Sequence, residues 1–188
     1  LADTEAASES IKASAEEIGR VVDSESKVLR ALSALTSSEV SDLGAEKDKE
    51  ALADILEPVI LLARIQLTAR GVVFEWDEIP GWKLACRPAA LIRSLLCLLF
   101  RAVEALAPFE KKKVSFRFSE SGEHLAIAIQ ASGLTEKPDP GIFPFVDEGE
   151  KKHVESVIRG HGGTMEVLSG AEPPVRLSIR IRLPVEKS

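Results

Sequence analysis

The sequence predicts an α/β (α+β) protein, a two-layer α/β sandwich in which helices cover one face of a mixed sheet. Three observations predict it. From residue 48 onward, helical and extended patterns follow the order helix, strand, strand, helix, strand, strand, helix, strand, strand, which segregates helices onto a sheet. A strongly apolar helix opens at Pro88 and runs to about Leu106, and an element so apolar must be buried. Lys113 to Ser119 and His124 to Ala131 carry apolar residues at every second position around Glu120-Ser121-Gly122-Glu123, the pattern of a hairpin.

In chain order, residues 5–36 contain no proline and one glycine, and Ile11, Ala15, Ile18, Val22, Leu29 and Leu32 recur at steps of four and three, with Glu25 interrupting the row. This is a long amphipathic helix with a heptad-like seam. Its apolar stripe needs a partner, either a second copy of the chain or its own domain. The spacing leaves both open; the homodimer is the sharper expectation, with those six residues as its interface. Residues 1–38 form this arm, 39–47 a polar linker, and 48–188 the domain.

The domain begins with a helix from about Asp48 to Arg70, stopped by Gly71 and expected to kink or split at Pro58. Val72 to Trp76 and Lys83 to Cys86 read as strands. After the Pro88 helix and the hairpin comes a Pro/Gly-rich loop from Gly133 to Asp147. A helix from about Lys151 to Gly160 follows, then strands near Thr164 to Ser169 and Arg176 to Leu183.

Composition bounds the function. A chain of 188 residues, 45% hydrophobic, can bury one core and a small helical appendage. A formal net charge of −6 gives no general attraction to nucleic acid or an anionic membrane. Lys111-Lys112-Lys113 is too short a basic run to reverse that. Cys86 and Cys97 sit among apolar neighbours without metal-site spacing, as buried thiols of a reducing compartment do. The apolar run Leu95 to Phe100 is far short of a membrane span, and no leader pattern opens the chain. The expectation is a soluble cytoplasmic protein, although a first residue of Leu suggests a piece of a longer product.

Three stretches carry a family resemblance. Leu91-Ile92-Arg93-Ser94-Leu95-Leu96-Cys97-Leu98-Leu99-Phe100-Arg101-Ala102-Val103-Glu104-Ala105-Leu106 resembles the N-box helix of sensor histidine-kinase catalytic domains, in the ATPase superfamily shared with gyrase. His161-Gly162-Gly163-Thr164 resembles the family's His-Gly-Gly turn, and Ile142-Phe143-Pro144-Phe145 the segment beside its nucleotide lid. Their order and spacing agree with the family from about residue 46 to residue 185. The preceding helix is similar to the second helix of the hairpin through which these kinases dimerise.

What the resemblance implies about ATP then fails at the metal ligand, the adenine acceptor, the phosphate loop and the lid. Arg101 stands at the family's magnesium-holding asparagine, and a guanidinium has no lone pair for a hard cation. Cys97 occupies an upstream position often also asparagine, and Glu104 reads as a solvated charge. Ala131 replaces the adenine-reading aspartate and Thr135 its second glycine, while Gly133 is kept. A buried adenine amino donor left unmatched costs roughly 1–3 kcal/mol. Before the last helix there is no Gly-x-Gly-Leu-Gly run; Asp147, Glu148 and Glu150 stand where phosphates would lie. Glu148 and Glu150 with Lys151 and Lys152 read as a solvated, helix-starting cluster.

The vestigial pocket is therefore Arg101, Glu104, Ala131, Gly133 and Thr135, with no catalytic residue, no metal ligand and no cofactor expected. No histidine precedes His124, so the arm carries no phospho-acceptor; His124, His153 and His161 read as structural or surface residues. The leading reading is a degenerate kinase that works through protein contacts, dimeric and facing a response-regulator receiver domain. The alternatives are a histidine phosphotransferase whose acceptor helix lies upstream, and a divergent ATP-binding kinase.

Overall fold

The computed structural model describes residues 48–134, 148–169 and 175–186. The helical arm with its six seam residues, the 39–47 linker, Thr135 and the Ile142-Phe145 stretch lie outside the described residues.

The domain opens with strand β1 (Asp48–Ala51) and helix α1 (Leu52–Ala69), followed by β2 (Val73–Trp76), β3 (Lys83–Cys86) and helix α2 (Pro88–Glu104). The hairpin β4 (Lys111–Ser121) and β5 (His124–Leu134) comes next, then helix α3 (Glu148–Gly160), β6 (Thr164–Ser169) and β7 (Val175–Pro184). The main sheet has five strands in the order β2-β4-β5-β7-β6, with β2 parallel to β4 and the other pairs antiparallel. The α/β sandwich expected from the alternating patterns is thus the architecture observed.

Alternation decides which face of the sheet is covered. Leu125, Ile127, Ile129 and Ala131 of β5 and Leu177, Ile179, Ile181 and Leu183 of β7 are all buried, and the two rows lie in register. Against them pack Leu91, Leu95, Leu98 and Leu99 of α2 and Leu52, Ile55, Leu56 and Val59 of α1. Fully burying each such side chain contributes about 1.5–3 kcal/mol.

Two sequence expectations need correction at the start of the domain. Asp48–Ala51 is not helical but a strand paired antiparallel with β3, and the helix begins only at Leu52 after an extended Ala51. Nor does Pro58 split the helix. It is buried within the single element Leu52–Ala69, where the burial of Ile55, Leu56, Val59 and Ile60 offsets the roughly 3 kcal/mol that an interior proline costs.

The edge of the sheet is closed by charge. β2 stops at Trp76, and Asp77 then lies alongside β4, its backbone N–H donating to Phe116 O at 3.2 Å and its Oδ2 accepting the Phe118 N–H at 3.1 Å. Arg117 donates to both Asp77 and Glu75, and these contacts hold both carboxyls below their usual range, Asp77 chiefly through Arg117 and Glu75 chiefly through Lys113.

Candidate functional site

The N-terminus of α2 is set by proline at its first turn, with Arg87 extended ahead of it. The buried row of α2 fixes its rotation, so Arg93, Cys97, Arg101 and Glu104 fall on the side that meets α3. There they border a cavity of about 370 Å³ completed by Glu150 and His153 of α3.

An ion-pair network crosses this cavity. Arg101 Nε donates to Glu150 Oε2 at 2.7 Å and Nη2 to Oε1 at 2.9 Å, a bidentate arrangement that fixes geometry as well as adding attraction. Arg101 also donates to Glu104 on its own helix, and the Cys97 thiol donates to Glu150 Oε1 at 3.3 Å. About a quarter of the Arg101 side chain and of the Glu150 side chain stays exposed, 25% and 27%, so the pair is only partly screened by water.

The network sets the protonation of its members. The Arg101 guanidinium holds the Glu150 carboxyl below the ordinary value of 4.5, and its two carboxylate partners hold Arg101 firmly charged. Burial, reinforced by the adjacent Glu150 carboxylate, pushes the Cys97 thiol up to about 12. Cys97 therefore stays a neutral thiol at physiological pH. Alkylation of Cys97 by iodoacetamide at pH 8, followed by mass spectrometry, is expected to run about 100-fold slower than that of a free cysteine; a rate near the free value would show that the network does not form.

Linkage gives the network a pH signature. Because the Glu150 value is lower in the folded than in the unfolded chain, its pairing stabilises the fold above the ordinary carboxyl range and is lost as pH falls through the folded value. Between about pH 5 and pH 3 the unfolding free energy of Glu150→Gln should fall less steeply than that of the parent. Denaturant titrations at stepped pH measure this, and parallel slopes would remove the assignment.

The sequence-predicted positions are only partly brought together. Arg101 and Glu104 meet at the cavity, but Glu104 is paired with Arg101 rather than merely solvated. Glu150, read with the solvated cluster, is instead Arg101's main partner, and Cys97 is half-buried beside it while Cys86 is fully buried. Ala131 is buried in the core row of β5. Gly133 faces elsewhere: a Cβ there would come within 2.5 Å of the Phe109 ring, so close packing of Phe109 accounts for this glycine.

Whether magnesium and a nucleotide fit is decided by donor chemistry. The position that the resemblance gives to a metal ligand carries a guanidinium bonded to two carboxylates, and across the cavity Arg93 and Arg101 balance Glu104 and Glu150. A guanidinium offers a metal ion no lone pair at that position. Among the described residues no group of three or more His, Cys, Asp or Glu could hold a metal ion, and no helix is long and apolar enough to cross a membrane.

The His-Gly-Gly turn lies at the other end of α2. His161 is 1% exposed; its Nε2 accepts the Arg87 backbone N–H at 3.0 Å, and its Nδ1 lies 2.7 Å from Val157 O. A backbone N–H can only donate, so Nε2 is the acceptor and Nδ1 carries the proton. The imidazole thereby ties the start of α2 to the end of α3, a structural role. His124 and His153 are exposed.

Solved structures share this fold. A mycobacterial sensor histidine kinase, MprB, superposes with a TM-score of 0.60 at 18% identity, covering 75% of this chain and 100% of that one. The catalytic domain of the histidine kinase ThkA gives 0.57 at 16%, covering 77% and 100%. A histidine kinase from Burkholderia phymatum STM815 gives 0.58 at 15%, covering 90% and 97%. No protein-family model and no curated protein matches the sequence.

Proposed function

We propose, from a chain that carries the fold of histidine-kinase catalytic domains, that it is a non-catalytic signalling module of the two-component type, unable to hold magnesium-ATP and acting through protein contacts. The observation that carries this reading is the bidentate Arg101–Glu150 pair. This pair joins a permanent cation, at the position that the resemblance gives to the metal ligand, to the first turn of α3, which supports the reading. On the resemblance, the magnesium ligand, the adenine acceptor at Ala131 and the glycine-rich phosphate loop are all replaced. Restoring one leaves the other two.

Isothermal titration with ATP and with ADP, each with magnesium and up to millimolar ligand, tests the reading. No saturable heat is expected for the parent, nor for Arg101→Asn, because the asparagine returns one ligand to a pocket still lacking the other two features. Binding near micromolar affinity by the parent would overturn the proposal. A receiver domain of a response regulator is the partner class we infer, to be sought by pull-down with the full chain.

A further inference from the structure

Helices α1, α2 and α3 all contribute their buried side chains to the core on one face of the main sheet. Strand residues of the opposite parity form the other face, and its centre is small: Ala126 and Ala128 of β5 are half-exposed. Cations flank that floor on both sides. Ala128 lies in register with Arg117 of β4 and with Arg180 of β7, and Ala126 with Arg182; both β7 arginines are exposed. Toward the start of β4 the face deepens into a groove of about 730 Å³, lined by Lys111, Lys112, Lys113 and Arg117 against one carboxylate, Glu110. Ser115, Gln130 and Ser132 add hydroxyl and amide groups to the lining, and Val73, 57% exposed, adds an apolar edge.

Part of this charge is already engaged. Glu75 on β2 takes Lys113 at 2.8 Å and, with Asp77, takes Arg117, while Glu166 of β6 stands in register with Arg180. Lys111, Lys112, Arg180 and Arg182 make no ion pair with another described residue. The face and its groove thus keep an excess of cations over carboxylates in a chain whose formal net charge is −6. Such a patch attracts an anionic partner. The lining holds no aromatic ring on which a base could stack, and the charge of the whole chain opposes nucleic acid. We propose that this open face, centred on the groove at Lys111 and Lys112, docks a carboxylate-rich segment of a partner protein. The inference rests on the reading of the chain as a module that works through protein contacts, and it names the surface and the chemistry of its occupant. It uses no residue of the Arg101 cavity. Exposed lysine–carboxylate contacts are individually weak and screened by salt, so several act together and the docking is salt-sensitive.

Fluorescence anisotropy of a labelled decaglutamate peptide, titrated with the full chain, tests the proposal. Saturable binding is expected at about 50 mM salt, weakening about tenfold by about 200 mM. Lys111→Gln with Lys112→Gln should weaken it about tenfold, whereas Lys151→Gln with Lys152→Gln, the same change of charge at the start of α3, should leave it within about twofold. No saturable binding by the parent would overturn the proposal, as would equal losses in the two double variants. Equal binding of a single-stranded decanucleotide would make the groove a general polyanion site and overturn the assignment to a protein segment. A mass by light scattering that doubles with concentration, and reverts in the Lys111 and Lys112 variant, would make the occupant a second copy and overturn it likewise. Carbodiimide coupling of the peptide to the unaltered chain, mapped by mass spectrometry, needs no variant to fold: attachment is expected at Lys111 and Lys112, and attachment concentrated elsewhere counts against the docking. Because no nucleotide enters these measurements, their failure removes this surface alone, whereas saturable ATP binding would remove the reading of the Arg101 cavity.

Discussion

Replacing His161 with alanine is expected to lower the unfolding free energy by about 3 kcal/mol. Two effects add. The Arg87 N–H loses its acceptor in a site where the imidazole is 1% exposed, at a cost of about 1–3 kcal/mol for a buried donor left unmatched. The removed ring also leaves a void between α2 and α3 that the surroundings fill only in part. The Val157 carbonyl is cushioned, since it also accepts the His161 backbone N–H at 3.2 Å. Urea unfolding monitored by circular dichroism measures the difference, and a change under about 0.5 kcal/mol would mean that the histidine is not the tie described.

Gly163→Ala should be similarly damaging, by about 3 kcal/mol, and for a steric reason. A Cβ at that position would lie 2.4 Å from the Arg182 carbonyl oxygen and 2.8 Å from the Leu183 side chain. The first contact is backbone in β7, the strand that pairs with both β5 and β6, so it cannot rotate aside. Relief requires moving the turn away from the sheet, which also pulls on the Gly163 N–H bond to Ile158 O at 3.0 Å. A shift in thermal midpoint of several degrees is the expected readout. A neutral result would place the turn further from β7 than the packing here requires.

How much of this was legible in the sequence varies with the physics involved. The hairpin and the strand Thr164–Ser169 follow from period-two alternation, and α2 from proline at its start and an apolar run. These are local signals. Strand β1 was not legible: Asp-Lys-Glu-Ala has poor strand propensity and no alternation, and it is extended because β3 offers it a ladder. Pro58 misled for the converse reason, since local chemistry argued for a break that packing overrides.

The site divides in the same way. Arg101 could be singled out at one position, but its partner Glu150 lies 49 residues away. Beside Lys151 and Lys152 that glutamate looked like an ordinary helix-start charge. Only the packing of α3 against α2 turns it inward. The signal lies in the pair: a basic residue on the apolar helix and an acidic one at the start of the next helix.

Asp77 has a consequence beyond its own bonds. By taking the Phe118 N–H just where β2 ends, its carboxylate occupies a donor that a stray extended chain would otherwise recruit. The charge it shares with Arg117 makes that border costly to dehydrate. An exposed β4 margin would be a template for runaway strand addition between crowded copies. One aspartate, with its arginine, closes this stretch of the β4 margin, where β2 has ended, to the addition of a further strand.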